Sequence, residues 1–568
     1  MSPFTLTMLD TTGIQDYVFR SNRLQENIGA SEIVYRVTTQ WAIQALDDEH
    51  LRANVHITDR ENGQWEYTNT SGIETDDSID AEVVYAGGGN TFIVFRAEKA
   101  AIAFTKRLTR RVLAEAPGLG LVVRHRPFDW DAEPLWMAQT ESLRKLATHK
   151  LARPLSAPLL GLAVTEPCDS TGLAAVRTDE TSVRVEDKWR PLRVGDQAQE
   201  PPRSISRETL YKLGWRDLGN ARLMYEVGDK VKDVFEFPAD IDRLGRARGE
   251  ESFVAVVHAD GNGMGQHVKR VSDGLDSKEP RAANREYVKR LRAFSEAVNK
   301  ASLAALKRVV DQVTASLSRN DDGSYEIQRE WGEPIPIVED YLPFRPLVFG
   351  GDDVTLLAAG QLGLSVAAAY LQAFEEETSK DPALPAMYAS AGVAIVKSHY
   401  PFSRAYALSE ELTHSAKKLV RDQAEGDQSA LDWHFALTGL FGDLGSIRKR
   451  EYGKSSLLMR PLRLRATEMQ QDGRYWFDGL ERVVRELQSG PAWRARRNKV
   501  KGLMEALRGG GRVAEAYRRT YDLPLLPALV PGDPGAQMKG WTTGDTCAYF
   551  DALELLDHYV PLRLLEVA

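Results

Sequence analysis

The feature that most constrains the fold is an ordered series of apolar segments on either side of one Gly-Gly-Asp-Asp turn. The segment "ESFVAVVHADG" has the continuous apolar run of a strand buried on both faces, and the helical spacing of "NREYVKRLRAFSEAVNKASLAALKRVVDQVTASL" follows it. Two short strands, "RPLVFGG" and "VTLLAA", then enclose the turn. The later segments predict a helix, a strand and a helix, in "GQLGLSVAAAYLQAFEEET", "YASAGVAIVKS" and "PFSRAYALSEELTHSAKKLVRD". This βαββαβ order predicts a ferredoxin-like unit.

The order of these elements brings three aspartates together. In a ferredoxin-like sheet the first strand lies beside the third, so Asp260 should approach Asp352 and Asp353. Carboxylates about 4 Å apart repel one another by roughly 1–4 kcal/mol per pair, which a cation would offset. Oxygen ligands suit Mg²⁺ or Mn²⁺, and two such ions about 3.5–4 Å apart are usual for nucleotidyl transfer. Gly350 and Gly351 permit a sharp turn and leave room for a triphosphate.

A second interpretation of the turn stays open at this point. Gly-Gly-Asp-Asp also suits an ordinary hairpin turn whose aspartates are solvated. The catalytic interpretation is favoured by two further segments, "HADGNGMG" one helix upstream and "AKKLVRD" on the last helix.

Three segments carry a resemblance to a known family. "ADGNGMG", "FGGDDVTLLA" and "SAGVAIVKSHYPFSRAYALSEELTHSAKKL" resemble the palm polymerase/cyclase domain in the large subunit of type III CRISPR effector complexes, and more distantly GGDEF-type diguanylate cyclases. The resemblance implies that Asp260, the Gly261 carbonyl and Asp352 bind metal and that Lys417 holds phosphates. Arg421 lies one helical turn later and matches the Lys-x-x-x-Arg spacing of the cyclases. A solvated basic face is the alternative for both basic residues.

The resemblance also assigns the neighbouring residues. Asp353 would complete the metal shell or orient the attacking hydroxyl. Asn262 stands where relatives often carry an acid, and the role of Asp260 does not depend on it. The residues expected to contact nucleotide or phosphate, besides Lys417 and Arg421, are Gly261, Asn262, Gly263, Gly350 and Gly351.

The amino-terminal part repeats the same plan. "LTMLDTTGIQDYVF" begins a strand and helix, and "AEVVYAGGGNTFIVFRA" is a hairpin with Gly87 to Asn90 in place of Gly-Gly-Asp-Asp, which indicates a duplication. The family pairs a degenerate first palm with an active second one, and "DTTGIQDYVF" and "NIGASE" resemble its first-palm signatures. Asp10 lacks carboxylate partners, so we expect no second metal site; plain turn chemistry is the alternative for Asp10 and Asn90. Two palms face to face would enclose a pocket for two nucleotides.

The predicted fold class is α+β, with two ferredoxin-like palm domains, an intervening α/β linker domain and a C-terminal helical domain. Relatives often carry a zinc-binding cysteine cluster between the palms, which the lone Cys168 cannot provide. The polar segment "SVRVEDKWRPLRVGDQAQEPPRS" predicts a surface linker. The predicted boundaries are 1–130 for the degenerate palm, 131–249 for the linker domain, 250–435 for the catalytic palm and 436–568 for the helical domain.

Composition excludes several classes of protein. The net charge of -8 does not favour nucleic-acid binding by the chain as a whole, and two cysteines cannot build a disulfide framework. No apolar span reaches membrane length, so we expect a cytoplasmic protein without membrane contact. No His-Asp dipeptide occurs, so we predict that the nuclease domain of many relatives is absent. The C-terminal Arg and Lys among Trp and Tyr would contact RNA or snorkel on a helical bundle.

These observations predict a metal-dependent nucleotidyltransferase that makes cyclic oligoadenylate from ATP with two Mg²⁺ or Mn²⁺ ions, within a type III CRISPR antiviral defence system. The resemblance implies crRNA-containing effector subunits and target RNA as partners, with the target RNA as activator. Two alternatives stay open: a stand-alone cyclic dinucleotide synthase that needs no guide RNA, and an inactive scaffold subunit of an RNA-guided ribonucleoprotein.

Overall fold

The computed structural model of the 568-residue chain resolves most of the sequence. None of the helices in the described residues is long and apolar enough to cross a membrane. The described residues are 4–47, 51–68, 72–152, 164–194, 201–229, 231, 233–244, 252–421, 428–436, 442–453, 455–465, 476–529 and 534–563.

The first domain is built on a four-stranded antiparallel sheet with strand order β4-β5-β1-β6. This order is that of a ferredoxin-like unit, as the amino-terminal motifs predict. Its strands are β1 (Phe4–Thr12), β4 (Ala81–Gly87), β5 (Asn90–Phe95) and β6 (Gly120–Phe128), beside a hairpin of β2 (Val55–Asp59) and β3 (Gln64–Tyr67). Its helices are α1 (Ile14–Phe19), α2 (Leu24–Thr38), α3 (Gln40–Gln44), α4 (Glu98–Glu115) and α5 (Leu135–Ala152).

The segment between the two large sheets holds short strands and one long helix. Part of the predicted surface linker instead forms a hairpin, because Val183 and Val185 alternate with polar residues and are buried against the helix. Residues 195–200, which continue that segment, lie outside the described residues. The elements are β7 (Ala175–Thr178), β8 (Ser182–Val185), β9 (Lys188–Pro191), β10 (Ser204–Ser206) and α6 (Arg207–Val227).

The second large sheet has strand order β15-β16-β11-β17-β18-β19, and its first four strands repeat the ferredoxin-like order. Its strands are β11 (Phe253–Gly261), β15 (Phe344–Val348), β16 (Asp353–Ala359), β17 (Ala389–Lys397), β18 (Ala430–Ala436) and β19 (Leu462–Arg463). Its helices are α7 (Met264–Arg270), α8 (Pro280–Ala315), α9 (Gly363–Lys380) and α10 (Phe402–Arg421). The predicted strands and helices therefore form as expected. The sequence prediction missed α7 and a small sheet of β12 (Leu317–Arg319), β13 (Tyr325–Ile327) and β14 (Ile335–Pro336).

The C-terminal part is mainly helical and packs its apolar side chains into the core of the second sheet. Several of its basic side chains are already paired: Arg497 and Lys501 both contact Asp557, and Arg519 contacts Glu515. The helices are α11 (Leu444–Tyr452), α12 (Phe477–Ser489), α13 (Arg497–Arg508), α14 (Gly511–Thr520), α15 (Pro534–Lys539) and α16 (Phe550–Leu555).

The two ferredoxin-like domains are joined by an ion cluster between β4 and α8. Glu82, which is 2% exposed, accepts hydrogen bonds from Arg285 and Arg292, each at 2.7 Å. Glu74 pairs with the same Arg285 guanidinium. Because buried charges are stable only when paired, this cluster fixes the long helix α8 against the first domain.

Candidate active site

The three predicted aspartates meet at the end of β11. Asp260 lies directly opposite Asp353 in the antiparallel pairing of β11 with β16. Asp352 packs against Gly261, where an added Cβ would lie 3.0 Å from the Asp352 Cβ atom. A side chain at this position would therefore require Asp352 to shift. The prediction that the first and third strands bring these carboxylates together is therefore confirmed by the register of the sheet.

The hairpin that carries Asp352 and Asp353 turns at two glycines. Gly350 and Gly351 have φ angles of 119° and 80°, in the region that L-residues avoid. The Gly351 N–H donates a 3.1 Å hydrogen bond to Asn299 Oδ1 on α8. The long helix therefore holds the tip of the turn, a contact that no sequence motif predicted.

Lys417 is placed among the same groups by α10. Its Nζ atom donates to Asp260 Oδ2 at 2.6 Å and to the Gly261 carbonyl oxygen at 3.0 Å. These are two of the oxygens that the resemblance assigns to a metal ion. The lysine ammonium therefore neutralises part of the acidic cluster from the position expected of a cation.

The electrostatics of the site favour a positive ligand. Desolvation in the cleft, together with repulsion from Asp260, raises the pKa of Asp352 and of Asp353 to about 7. The Nδ1 atom of His258 lies 3.3 Å from Asp353 Oδ1. Because burial lowers the pKa of His258, this side chain adds no positive charge to the site at neutral pH. Asp353 Oδ1 is buried and accepts no hydrogen bond.

The donor set fits a divalent cation in its chemistry. Three carboxylates and one carbonyl provide the hard oxygen ligands that Mg²⁺ and Mn²⁺ prefer, and one carboxylate oxygen, Asp353 Oδ1, is buried without a hydrogen bond. Among the described residues, however, no three His, Cys, Asp or Glu side chains are already arranged to hold a metal ion. Lys417 occupies Asp260, so a bound ion would share that carboxylate with the ammonium or displace it.

Residues 253–425 match the family model described as Cas10/Cmr2, second palm domain. This part of the chain is similar to a Cas10/Cmr2 second palm domain. The resemblance found in the sequence motifs is thereby confirmed, and the matched residues contain Asp260, Asp352, Asp353 and Lys417.

Two solved structures share the fold of nearly the whole chain. Csm1 in T. onnurineus is 13% identical with a TM-score of 0.51, and the alignment covers 98% of this chain and 69% of that one. A Csm1–Csm4 cassette in complex with AMPPNP is 14% identical with a TM-score of 0.50, and the coverage is again 98% and 69%. This likeness concerns the fold and is consistent with the large-subunit family. No curated protein matches the chain.

Three further residues predicted to contact nucleotide or phosphate lie around the same end of the second palm. Asn262 is buried, and its side chain donates to the Gln428 carbonyl and accepts from the Ser390 hydroxyl, each at 2.9 Å. Its polar side-chain atoms therefore link the end of β11 to β17 and to the residues before β18, and a contact with nucleotide stays a prediction. Arg421 is exposed at the end of α10, one turn beyond the lysine that contacts the acids. Gly263 has φ 65° and begins α7.

The first domain reproduces this local architecture but has no acids in its hairpin turn. Asp10 lies opposite Asn90 in the pairing of β1 with β5, as Asp260 lies opposite Asp353 in the second palm. Gly13, three residues after Asp10, has φ 69° and begins α1. The duplication inferred from the sequence is therefore visible in register and backbone conformation.

A second lysine completes the parallel between the domains. Lys150 Nζ on α5 lies 2.6 Å from Asp10 Oδ2, as the lysine of α10 lies beside the aspartate of the second palm. The sequence analysis missed this pair, because nothing in the sequence near Lys150 links it to a residue so far away. Burial and the charges of Asp10 and Asp352 raise the pKa of Tyr85. Tyr85 therefore lies between the acidic ends of the two domains.

Proposed function

We propose that the chain is the polymerase/cyclase subunit of a type III CRISPR-type system, which converts ATP into cyclic oligoadenylate and releases pyrophosphate. The observation that carries the proposal is the convergence of Asp260, Asp352 and Asp353 with Lys417 inside a Cas10/Cmr2 second palm. The Csm1–Csm4 cassette that shares the fold was solved with AMPPNP, which supports a nucleotide substrate.

In this proposal Asp260, the Gly261 carbonyl and Asp352 would hold Mg²⁺ or Mn²⁺, and the ion would lower the pKa of the acceptor 3′-hydroxyl and neutralise charge on the phosphates. Asp353 completes the ligand shell or orients that hydroxyl. Its carboxylate has a raised pKa and lies in the partly desolvated cleft, so it is suited to accept a proton. Lys417 would leave Asp260 when the ion binds and would stabilise the developing charge on the pyrophosphate.

The partners follow from the family. We propose that the chain assembles with crRNA-containing effector subunits and that target RNA activates it. We also propose that this assembly is cytoplasmic. Csm1 was solved with Csm4 in the cassette that shares the fold, which supports assembly with at least one further subunit.

The test is product formation. The purified chain is incubated with Mg²⁺ or Mn²⁺ and each ribonucleoside triphosphate, first alone and then with partner subunits and target RNA, and products are identified by mass. We expect cyclic oligoadenylate from ATP. It should be lost in Asp352→Asn/Asp353→Asn and retained in Asp321→Asn/Asp322→Asn, a matched aspartate pair in the hairpin turn between β12 and β13.

The outcomes separate the alternatives. A cyclic dinucleotide made without RNA would support the stand-alone synthase. No product with RNA and all partner subunits present would contradict the proposal and leave the scaffold function.

A further inference from the structure

The strand that leads into the catalytic hairpin is an edge strand. β15 pairs only with β16, so its outer side has no strand partner among the described residues. Helices from other parts of the chain bind it instead. Ser31 on α2 donates a 2.6 Å hydrogen bond to the Leu347 carbonyl, and Arg345 on β15 donates one of 2.6 Å to Asn220 Oδ1 on α6.

Arg222 on α6 makes the contact nearest to the hairpin. Its guanidinium carbon lies 4.0 Å from the ring centroids of both Tyr35 and Phe349, and its Nε donates to Glu32 Oε2 at 2.7 Å. Arg222 is 3% exposed and Glu32 is 1% exposed. We call Arg222, Glu32, Tyr35 and Phe349 the arginine clamp. Phe349 is the residue immediately before Gly350, so the clamp ends where the catalytic turn begins.

The helices that form the clamp are packed too closely to move separately. At Gly29 on α2, an added Cβ would lie 1.7 Å from the Lys212 carbonyl oxygen on α6, and at Gly219 it would lie 3.0 Å from Ile28. Such backbone contact makes the two helices one rigid support. α2 belongs to the first domain and α6 to the segment between the domains, so the support lies outside the second palm.

The hairpin needs such a support. Gly350 and Gly351 have no side chains to pack, and glycine has more backbone freedom than any other residue. Metal ligands must nevertheless be held within about 0.5 Å of their productive geometry. In the described structure the turn is held by Asn299 on one side and by the arginine clamp, through Phe349, on the other.

We infer that Arg222 is a positioning residue: by clamping Phe349 between the first domain and α6, it fixes the hairpin so that Asp352 and Asp353 face Asp260. Helix α6 thereby governs the geometry of the catalytic acids without contacting substrate. The activity and Mn²⁺-binding readouts of this inference rest on the proposed function, whereas the amide-exchange readout does not.

The test compares two variants of the full chain. Arg222→Met removes the ion pair and the charged stacking. Arg216→Met is the matched control, because Arg216 lies on the same helix, is 1% exposed and bonds to Gln25 and the Leu192 carbonyl rather than to the hairpin. Amide hydrogen exchange is followed over residues 346–353, and Mn²⁺ alone is titrated by its EPR signal.

We expect Arg222→Met to speed amide exchange in 346–353 and to weaken Mn²⁺ binding by about tenfold or more, with an equal or larger loss of product formation. Arg216→Met should leave amide exchange in 346–353, Mn²⁺ binding and product formation unchanged, even if it lowers the thermal stability of the chain. Arg222→Lys should restore part of the Mn²⁺ affinity, because it keeps the charge opposite Glu32 but not the planar stacking. Should Arg222→Met not fold, Phe349→Leu tests the same contact from the hairpin side.

The inference is overturned if Arg222→Met and Arg216→Met have the same exchange and Mn²⁺ affinity. If the wild-type chain forms no product with any triphosphate, the proposed function fails, and faster exchange in 346–353 still supports the clamp.

Discussion

At the scale of single residues, Lys417 places a positive charge directly beside the three carboxylates. Its ammonium lies on Asp260 Oδ2 and on the Gly261 carbonyl, which are the oxygens a divalent cation would take. Under the proposed function, the lysine and the metal would compete for the same ligands and would then both bind phosphate. This competition predicts opposite effects on metal affinity and on rate.

Lys417→Met should bind Mn²⁺ more tightly than the wild-type chain and form product about 100-fold more slowly. The methionine removes the competing charge from Asp260, but it also removes a cation that stabilises the leaving pyrophosphate. Mn²⁺ titration by EPR and the initial rate with ATP measure the two effects. Lys418→Met, at the adjacent exposed position, is the control. Weaker Mn²⁺ binding in Lys417→Met would contradict the competition.

The raised pKa of Asp352 should make the metal-free chain less stable as the pH rises. The folded pKa is about 7 against an ordinary value of 3.8, so the folded state binds the proton more strongly than the unfolded state. The stabilisation is complete below pH 4 and is lost between about pH 4 and 7. Thermal unfolding in EDTA should therefore show a fall in Tm over this range that is smaller in Asp352→Asn. A fall of equal size in both proteins would show that Asp352 is not its source.

At the scale of elements, the sequence predicted the strands and helices of the second palm because each buried strand is a continuous apolar run. It did not predict the hairpin of β8 and β9 or the arginine clamp. Both depend on contacts with α6, and the partners of Arg222 come from α2 and from the residue after β15. Periodicity identifies which residues are buried, but it does not identify the distant element that covers them.

Gly29→Ala should destabilise the chain by about 1–3 kcal/mol, the usual range for overpacking a tight contact. The methyl group would lie 1.7 Å from the Lys212 carbonyl, so the α2–α6 pair must separate. Thermal or denaturant unfolding measures the loss. Gly445→Ala on α11 is the control, since 3.5 Å separates its added Cβ from the nearest atom. Equal stability of the two variants would show that the helices can adjust.

At the scale of the whole molecule, the chain contains two copies of one fold, and only the second has acids in the hairpin beside its first aspartate. The duplication could be predicted from "GGGN" and "GGDD" in corresponding hairpins, because a glycine-rich turn is a local signal. The contacts between the two copies could not be predicted from the sequence, since Glu82 and Arg285 are far apart in sequence and neither belongs to a motif. The relative placement of the two domains depends on such long-range contacts.

Arg285→Met should destabilise the chain by about 3–5 kcal/mol, because it leaves the buried carboxylates of Glu74 and Glu82 with less compensating charge. Arg281→Met is the matched control on the same helix, where Arg281 and Asp131 are each about half exposed. A surface pair of this kind contributes about 0.2–1 kcal/mol. Urea unfolding, monitored by tryptophan fluorescence, gives the free energy of unfolding of both variants. An equal decrease in the two variants would show that the ion cluster is not essential to the contact between the two domains.

The ion pair of Lys150 with Asp10 has a consequence for how the molecule responds to its medium. In the first domain the counterion is tethered to the chain, so chelators and dilution cannot remove it. Under the proposed function, the equivalent position in the second palm would pass from a tethered lysine to an exchangeable ion. The charge of the first site would then be independent of free divalent cation, whereas the charge of the second would depend on it, and EDTA would affect only the second.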